Sequence, residues 1–281
     1  MITKIIQAAD IHIRNIRRTD EYKEQLTKFI SQCKEIVDEN TPEKTRIVIC
    51  GDVLHSKTDI SPEGYDLAAW FFSELDKICP TIVFAGNHDV NTGNVNDRLD
   101  PLSAIFSIGE FKQVFYIDKE LEYKSGFIED DNIVWCLYSI FNKFKRPDNL
   151  VEVYSNPDNR TKTFVGLYHG DLKGAKTDAG YTMENAIDSS YFDDSVDFGL
   201  LGHIHKRQCI TNKKGVQLVY AGSLIQQDHG ERISGHGYVV WNVETKTYEG
   251  VDIDNSDNGF YNVSIEGESD IEEDKEEFVN L

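Results

Sequence analysis

No Cys-x-x-Cys pair occurs in the 281 residues, and the five cysteines, at 33, 50, 79, 136 and 209, are odd in number. That argues against a thiolate zinc site or a disulfide framework and suits buried thiols in a reducing compartment. No apolar run approaches the roughly 20 residues of a membrane span. A secretory leader is not expected either, because Ile5-Ile6-Gln7-Ala8-Ala9 already reads as a first core strand. Positive charge is scarce: 29 Lys and Arg stand against 49 Asp and Glu, a net charge of −20. Such a surface is unsuited to binding nucleic acid indiscriminately. Neither internal repeats nor coiled-coil heptads are present. The expectation is a globular protein working without a membrane inside the cell, in the cytoplasm or nucleoid, or in a nucleus.

The charge is uneven. Residues 249–281 hold twelve acidic residues and one lysine, −11 of the −20. Basic groups cluster locally at Arg14, Arg17 and Arg18, at Lys143, Lys145 and Arg146, at Lys173 and Lys176, and at Lys206 and Arg207. With 40% apolar and 28% charged residues, the chain has enough apolar material for a large core.

Strands are expected at 4–9, 46–50 and 81–85, with helices at 20–39 and 62–78 between them. In the first helix Leu26, Phe29, Ile30, Cys33, Ile36 and Val37 share one face. The β-α-β-α-β order predicts a parallel sheet. A polar loop at 91–101 and a short helix at 102–108 follow. Further strands are expected at 113–117, 133–138, 163–168 and 196–201. A hairpin at 207–211 and 216–221 and strands near 237–243 and 248–253 complete the pattern. The stretch 142–161 reads as an irregular surface loop, and 170–190 as a Gly-rich connection. Trp70, Phe71, Phe72 and Leu75 give the second helix more apolar surface than one core face needs, which suits either burial or a subunit interface.

The chemistry sits where strands end. Cys50-Gly51-Asp52-Val53-Leu54-His55 follows the run 46–50, and Gly51 permits a sharp turn there. Four similar junctions accompany it: Asp10-Ile11-His12, Gly86-Asn87-His88-Asp89, Tyr168-His169-Gly170 and Gly202-His203-Ile204-His205. Open α/β sheets bind ligands at such carboxyl ends. Asp10, His12, Asp52, Asn87, His169, His203 and His205 make seven oxygen and imidazole donors without a thiolate. They are too many for one structural zinc. They suit two divalent ions about 3.5–4 Å apart that share Asp52. His88 is then free to protonate a leaving oxygen. His229 and His236 are read as structural.

The motifs D-x-H, GD-x-x-H, GNHD, H-G and GH-x-H, in this order, resemble the calcineurin-like metallophosphoesterase superfamily. The nearest resemblance is to its SbcD-type double-strand-break repair nucleases. His55 stands where phosphatases show Asp-Arg-Gly, the third motif ends in Asp89 and not Glu, and Tyr220-Ala221-Gly222-Ser223 is similar to a Y-P-G-S segment. The resemblance covers roughly 1–250. It implies a two-sheet αββα sandwich with the active site at strand carboxyl ends. It implies one ion on Asp10, His12, Asp52 and His205, and another on Asp52, Asn87, His169 and His203. Mn²⁺ is the expected metal, with Mg²⁺, Fe²⁺ or Zn²⁺ as alternatives. By the same resemblance His88 is catalytic, His55 positions DNA, and Asp89 orients His88. The implied activity is 3′→5′ exonuclease action on duplex ends and endonuclease action on single-stranded DNA, with an SMC-like coiled-coil ATPase as partner and a homodimer joined through 62–78 and 102–108. Family members continue into a small cap domain, so residues 251–281 read as an acidic tail or the start of such a cap. The alternatives are another phosphoesterase of this fold and a metal-bound scaffold.

Overall fold

A computed structural model of the chain describes residues 1–15, 18–91 and 100–261. In the first sheet β1 (Lys4–Ala8), β2 (Thr45–Cys50), β3 (Thr81–Phe84) and β4 (Val114–Tyr116) run parallel. Helices α1 (Thr19–Ile36), α2 (Pro62–Leu75) and α3 (Pro101–Ile108) fall between them. Beyond β1 the sheet continues antiparallel through β11 (Gly237–Asn242) and β12 (Thr247–Asp252). The second sheet has β6 (Ile133–Tyr138), β7 (Thr163–His169), β8 (Phe198–Gly202) and β10 (Gln217–Tyr220) in parallel. Antiparallel β5 (Gly126–Asp130) and β9 (Gln208–Thr211) form its edges. Helices α4 (Ile117–Glu120) and α5 (Leu150–Ser155) are short.

Successive residues of a strand face opposite ways, so a strand buried on both faces is apolar throughout. In β1, Ile5 enters the layer between the sheets, while Ile6 meets the helices. The inter-sheet layer joins Val48, Ile82 and Phe84 to Trp135, Val165, Leu167 and Leu200, and Trp241 stacks on Phe198 with ring centroids 4.3 Å apart. Behind the second sheet the expected helical layer is reduced to α5, the turn Ser189–Phe192 and the segment after β7, which cover Tyr138, Phe164 and Tyr168.

One polar residue crosses the inter-sheet layer. The fully buried Gln7 amide donates to the Leu201 and Val219 carbonyls and accepts from Trp241 Nε1 at 2.9 Å. Gln7→Leu is expected to lower stability by about 1–3 kcal/mol, because the indole N–H is left buried and unpaired. Urea unfolding checks this; an unchanged midpoint would assign the clamp no weight.

Three local expectations need correction. Helix α1 stops at Ile36, not Glu39, because Val37 is already extended. Helix α2 stops at Leu75, where Asp76 turns to accept the Lys112 and Gln113 amides. The stretch 142–161 contains α5, whose Leu150 packs on the second sheet. The apolar surplus of α2 is covered from within: Phe71 meets Phe29, Phe72 packs on Phe106 and Phe111, and Lys23 lies over the Trp70 ring. Strand β12 reaches Asp252, and Phe260 lies under Arg18. Arg17, residues 92–99 of the polar loop and the acidic tail from 262 onward lie outside the described residues.

Candidate metal centre

Strands β1, β2, β3, β7 and β8 all deliver their carboxyl ends to one edge of the sandwich. Pairing of β1 with β2 continues past the strands, with Asp10 N donating to Gly51 O and His12 N to Asp52 O at 2.9 Å. That zipper sets Asp10 and His12 beside Asp52. Gly51 turns at φ 80°, and a Cβ there would fall 2.4 Å from His169 Nδ1. Asp10, His12 and Asp52 also have positive φ, near 50°, and His203 has φ 95°. Side chains other than glycine rarely adopt such conformations, and where they persist the surroundings hold them.

Two ligand sets result. Carboxylate and imidazole atoms of Asp10, His12 and His205 converge within 4.8 Å, as do those of Asp52, His169 and His203. His12 Nε2 and His205 Nε2 face each other at 3.0 Å. Asn87 Oδ1 lies 3.2 Å from His169 Nε2 and 2.7 Å from His203 Nδ1, which adds it to the second set. Asp52 stands between the sets: its Oδ2 is 3.6 Å from His12 Nε2 and 3.1 Å from His169 Nε2, while its Oδ1 accepts the His88 amide. All seven donors expected from the sequence are therefore brought together.

Neighbouring groups orient the imidazoles. His169 Nδ1 donates to the Cys50 carbonyl at 2.7 Å, and His205 Nδ1 is bonded to Glu231. Both Nε2 atoms thus turn toward the centre. Asp171 lies 3.2 Å from His203 Nε2, and the bond to His203 lowers its pKa. Neither Glu231 nor Asp171 carries a sequence signal, since each is one acid in a polar loop. Gly202 leaves no space at this point: a Cβ would come 2.1 Å from Cys50 O and 2.7 Å from His169 Nδ1. Gly202→Ala is expected to break the Cys50–His169 bond and weaken metal binding by about 10–100-fold, the usual effect of losing a ligand's support. Calorimetric titration with Mn²⁺ measures it, and parental affinity would refute this role.

The electrostatics suit cations. Burial opposes ionisation of Asp52, yet His169, His12 and the His88 amide hold its carboxyl well below the usual range. Burial lowers the His169 pKa, but Asp52 and Asp10 outweigh it and raise the pKa to about 9. A proton is thus held where a cation between two carboxylates would be. Burial pushes the Asp10 carboxyl up and the His12 imidazole well down, so His12 offers a lone pair. His12 Nδ1 is buried without a partner among the described residues. Hard oxygens and neutral imidazoles of this kind fit divalent ions of the Mn, Fe or Zn type.

His88 and His55 stand outside these two sets and form a third group with His12, their imidazole atoms also converging within 4.8 Å. Their rings stack at 5.3 Å, and the His88 ring lies 4.7 Å from that of His12. His88 Nδ1 donates to the His55 carbonyl at 2.7 Å. Asp89 does not orient this ring, contrary to expectation. It is fully buried, and its oxygens accept the Val53, Leu54 and Gly86 amides, which locks two motif loops together. Burial and Asp52 raise its pKa to about 8. Arg14, placed with a basic cluster in the sequence, reaches His55 Nε2 at 3.3 Å and the Gln227 carbonyl. The alternation Asp10, His12, Arg14 was the available signal. Burial and then Arg14 push the His55 imidazole down to about 4. His236 is structural, bonded to Ser223 and the Arg232 carbonyl, and the His229 ring lies tilted against Phe260 at 4.7 Å.

Two cavities adjoin the centre. One, of about 350 Å³, is lined by His203, His205, Lys206, Asp178 and Glu231. The other, of about 370 Å³, is lined by Asn87, His169, His203, Phe141, Lys143 and Phe144. His203 is common to both.

A family model described as calcineurin-like phosphoesterase matches residues 3–207. Uncharacterized protein R555 of Acanthamoeba polyphaga mimivirus is 37% identical over 267 residues, which is 94% of this chain and 19% of that protein. The chain therefore spans about a fifth of that relative's length. Protein 244L of Invertebrate iridescent virus 6, provisionally named a phosphoesterase, is 28% identical over 232 residues, covering 81% of this chain and 72% of its own. Among solved structures, a dimetal phosphatase from Danio rerio superposes with a TM-score of 0.53 at 13% identity, over 86% of this chain and 93% of that one, a likeness of fold. No helix among the described residues is long and apolar enough to cross a membrane.

Proposed function

The chain belongs to the calcineurin-like phosphoesterase family, and from that premise we propose that it is a two-metal phosphodiesterase acting on DNA ends and single-stranded DNA. The observation that carries diester over monoester is the pair of cavities meeting at His203. A phosphoryl group at the centre has room for a substituent on each side. The nuclease motifs Gly51-Asp52-Val53-Leu54-His55 and Gly86-Asn87-His88-Asp89 support DNA as the substrate, and their resemblance extends the proposal to an SMC-like ATPase partner.

Asp10, His12, Asp52 and His205 would hold one divalent ion, and Asp52, Asn87, His169 and His203 the other, with Mn²⁺ the first to try. Bound there, the ions supply Lewis-acid charge neutralisation and an activated water. His88 presents Nε2 to the site because Nδ1 is committed to the His55 carbonyl, so a protonated His88 can give its Nε2 proton to the leaving oxygen. Neutral His55 receives Arg14 at Nε2, which leaves Nδ1–H to donate to a phosphate oxygen. Asp89 keeps the loops carrying Asp52 and His88 in register.

The test is Mn²⁺-loaded protein with end-labelled duplex and hairpin DNA, p-nitrophenyl phosphate and its bis ester. Cleavage of DNA and of the bis ester is expected. Hydrolysis of the monoester alone would make the protein a phosphatase. His55→Ala should impair cutting from duplex ends, which need a terminus held in register, more than cutting within flexible single strands. Equal loss of both would place His55 in the general metal site.

A further inference from the structure

We propose that the cavity beside Asn87, His169 and His203 is a nucleoside subsite, which receives the base attached to the phosphate at the metal centre. The inference rests on the phosphodiesterase reading and deepens it. The far wall is built by the segment after β6, where Phe141, Lys143 and Phe144 face the cavity. Lys143 and Phe144 are consecutive non-glycine residues with positive φ, 53° and 59°. This unusual backbone is pinned from three sides. Phe144 N donates to the Ser139 carbonyl at 2.8 Å, the Tyr191 hydroxyl donates to the Phe144 carbonyl, and Ser139 is anchored to Asp118. Both rings are half-buried and braced edge-on, Phe144 by Tyr168 at 5.0 Å and Phe141 by Tyr123 at 4.9 Å.

Two braced aromatic rings beside a phosphoryl site suit a flat π-face covalently joined to a phosphate. Stacking of bases on aromatic side chains is the common sequence-tolerant mode of holding unpaired nucleotides. At about 370 Å³ the cavity is of small-ligand size. Lys143 is exposed at its edge, without a carboxylate partner among the described residues, and offers charge to an adjoining phosphate. Asp171, also in the wall, offers an acceptor to a base N–H or sugar hydroxyl.

The experiment is calorimetric titration of the Mn²⁺-loaded protein with thymidine 5′-monophosphate and, separately, with inorganic phosphate. It compares the parent with Phe144→Leu and with the Phe141→Leu/Phe144→Leu double variant, which keep apolar bulk but lose the π-face. The parent is expected to bind the nucleotide at least 10-fold more tightly than phosphate. The double variant should lose most of that preference while its phosphate affinity stays parental, which also shows that the centre is intact. A parent that binds both equally, or a double variant that keeps the full preference, would overturn the subsite and leave the phosphodiesterase reading standing. A parent that binds neither would overturn both.

Discussion

Asp52→Ala is expected to remove both metal ions and to lower DNA hydrolysis by about 10³-fold or more, since metal-supplied charge stabilisation is worth several kcal/mol. Asp52 has an oxygen 3.6 Å from His12 and 3.1 Å from His169, one imidazole of each set, whereas Asp10, grouped with His12 and His205, reaches His169 only at 3.9 Å. Asp52→Asn is the milder comparison, because it can keep the bond from the His88 amide while losing the charge. Metal analysis after gel filtration and initial rates on labelled duplex measure both effects. Two ions retained in the alanine variant would end the bridging role.

His88→Ala is expected to keep its metal and lose about 10²–10⁴-fold in DNA cleavage, the range for a positioned general acid. His88 lies outside the sets of Asp10 and of Asp52, converging instead with His12 and His55 within 4.8 Å, and its ring is held by the His55 carbonyl. The leaving group separates chemistry from architecture. A DNA alkoxide needs a proton as it departs, whereas p-nitrophenolate does not. The variant should therefore lose far more on DNA than on a p-nitrophenyl diester. Equal losses on both substrates would assign His88 to positioning, and parental rates on DNA would remove it from the reaction.

The centre was legible because its donors follow apolar strands directly, and a parallel sheet gathers such ends at one edge. Asp10, Asp52, Asn87, His169 and His203 all lie within three residues of a strand terminus. Glu231 and Asp171 were not legible, since only the folded chain brings them against imidazoles. The role of Asp89 was misread for a similar reason: adjacency to His88 suggested a side-chain contact, while the buried carboxylate turns to backbone amides. Strand β5 was missed because Gly126–Asp130 is a half-buried edge with only Phe127 and Ile128 to pack. Helix α5 was missed because, of its six residues, Leu150 alone is buried. The aromatic surplus of α2 proved internal because Phe106 and Phe111, distant in sequence, supply its cover.

The most direct test of the two-metal phosphodiesterase is stepwise addition of Mn²⁺ to the metal-stripped protein while cleavage of end-labelled duplex is followed. DNA hydrolysis is expected to stay low through the first equivalent and to rise with the second, reaching its plateau near two ions per chain. A plateau at one equivalent, or two bound ions with no cleavage of any DNA substrate or diester, would contradict it.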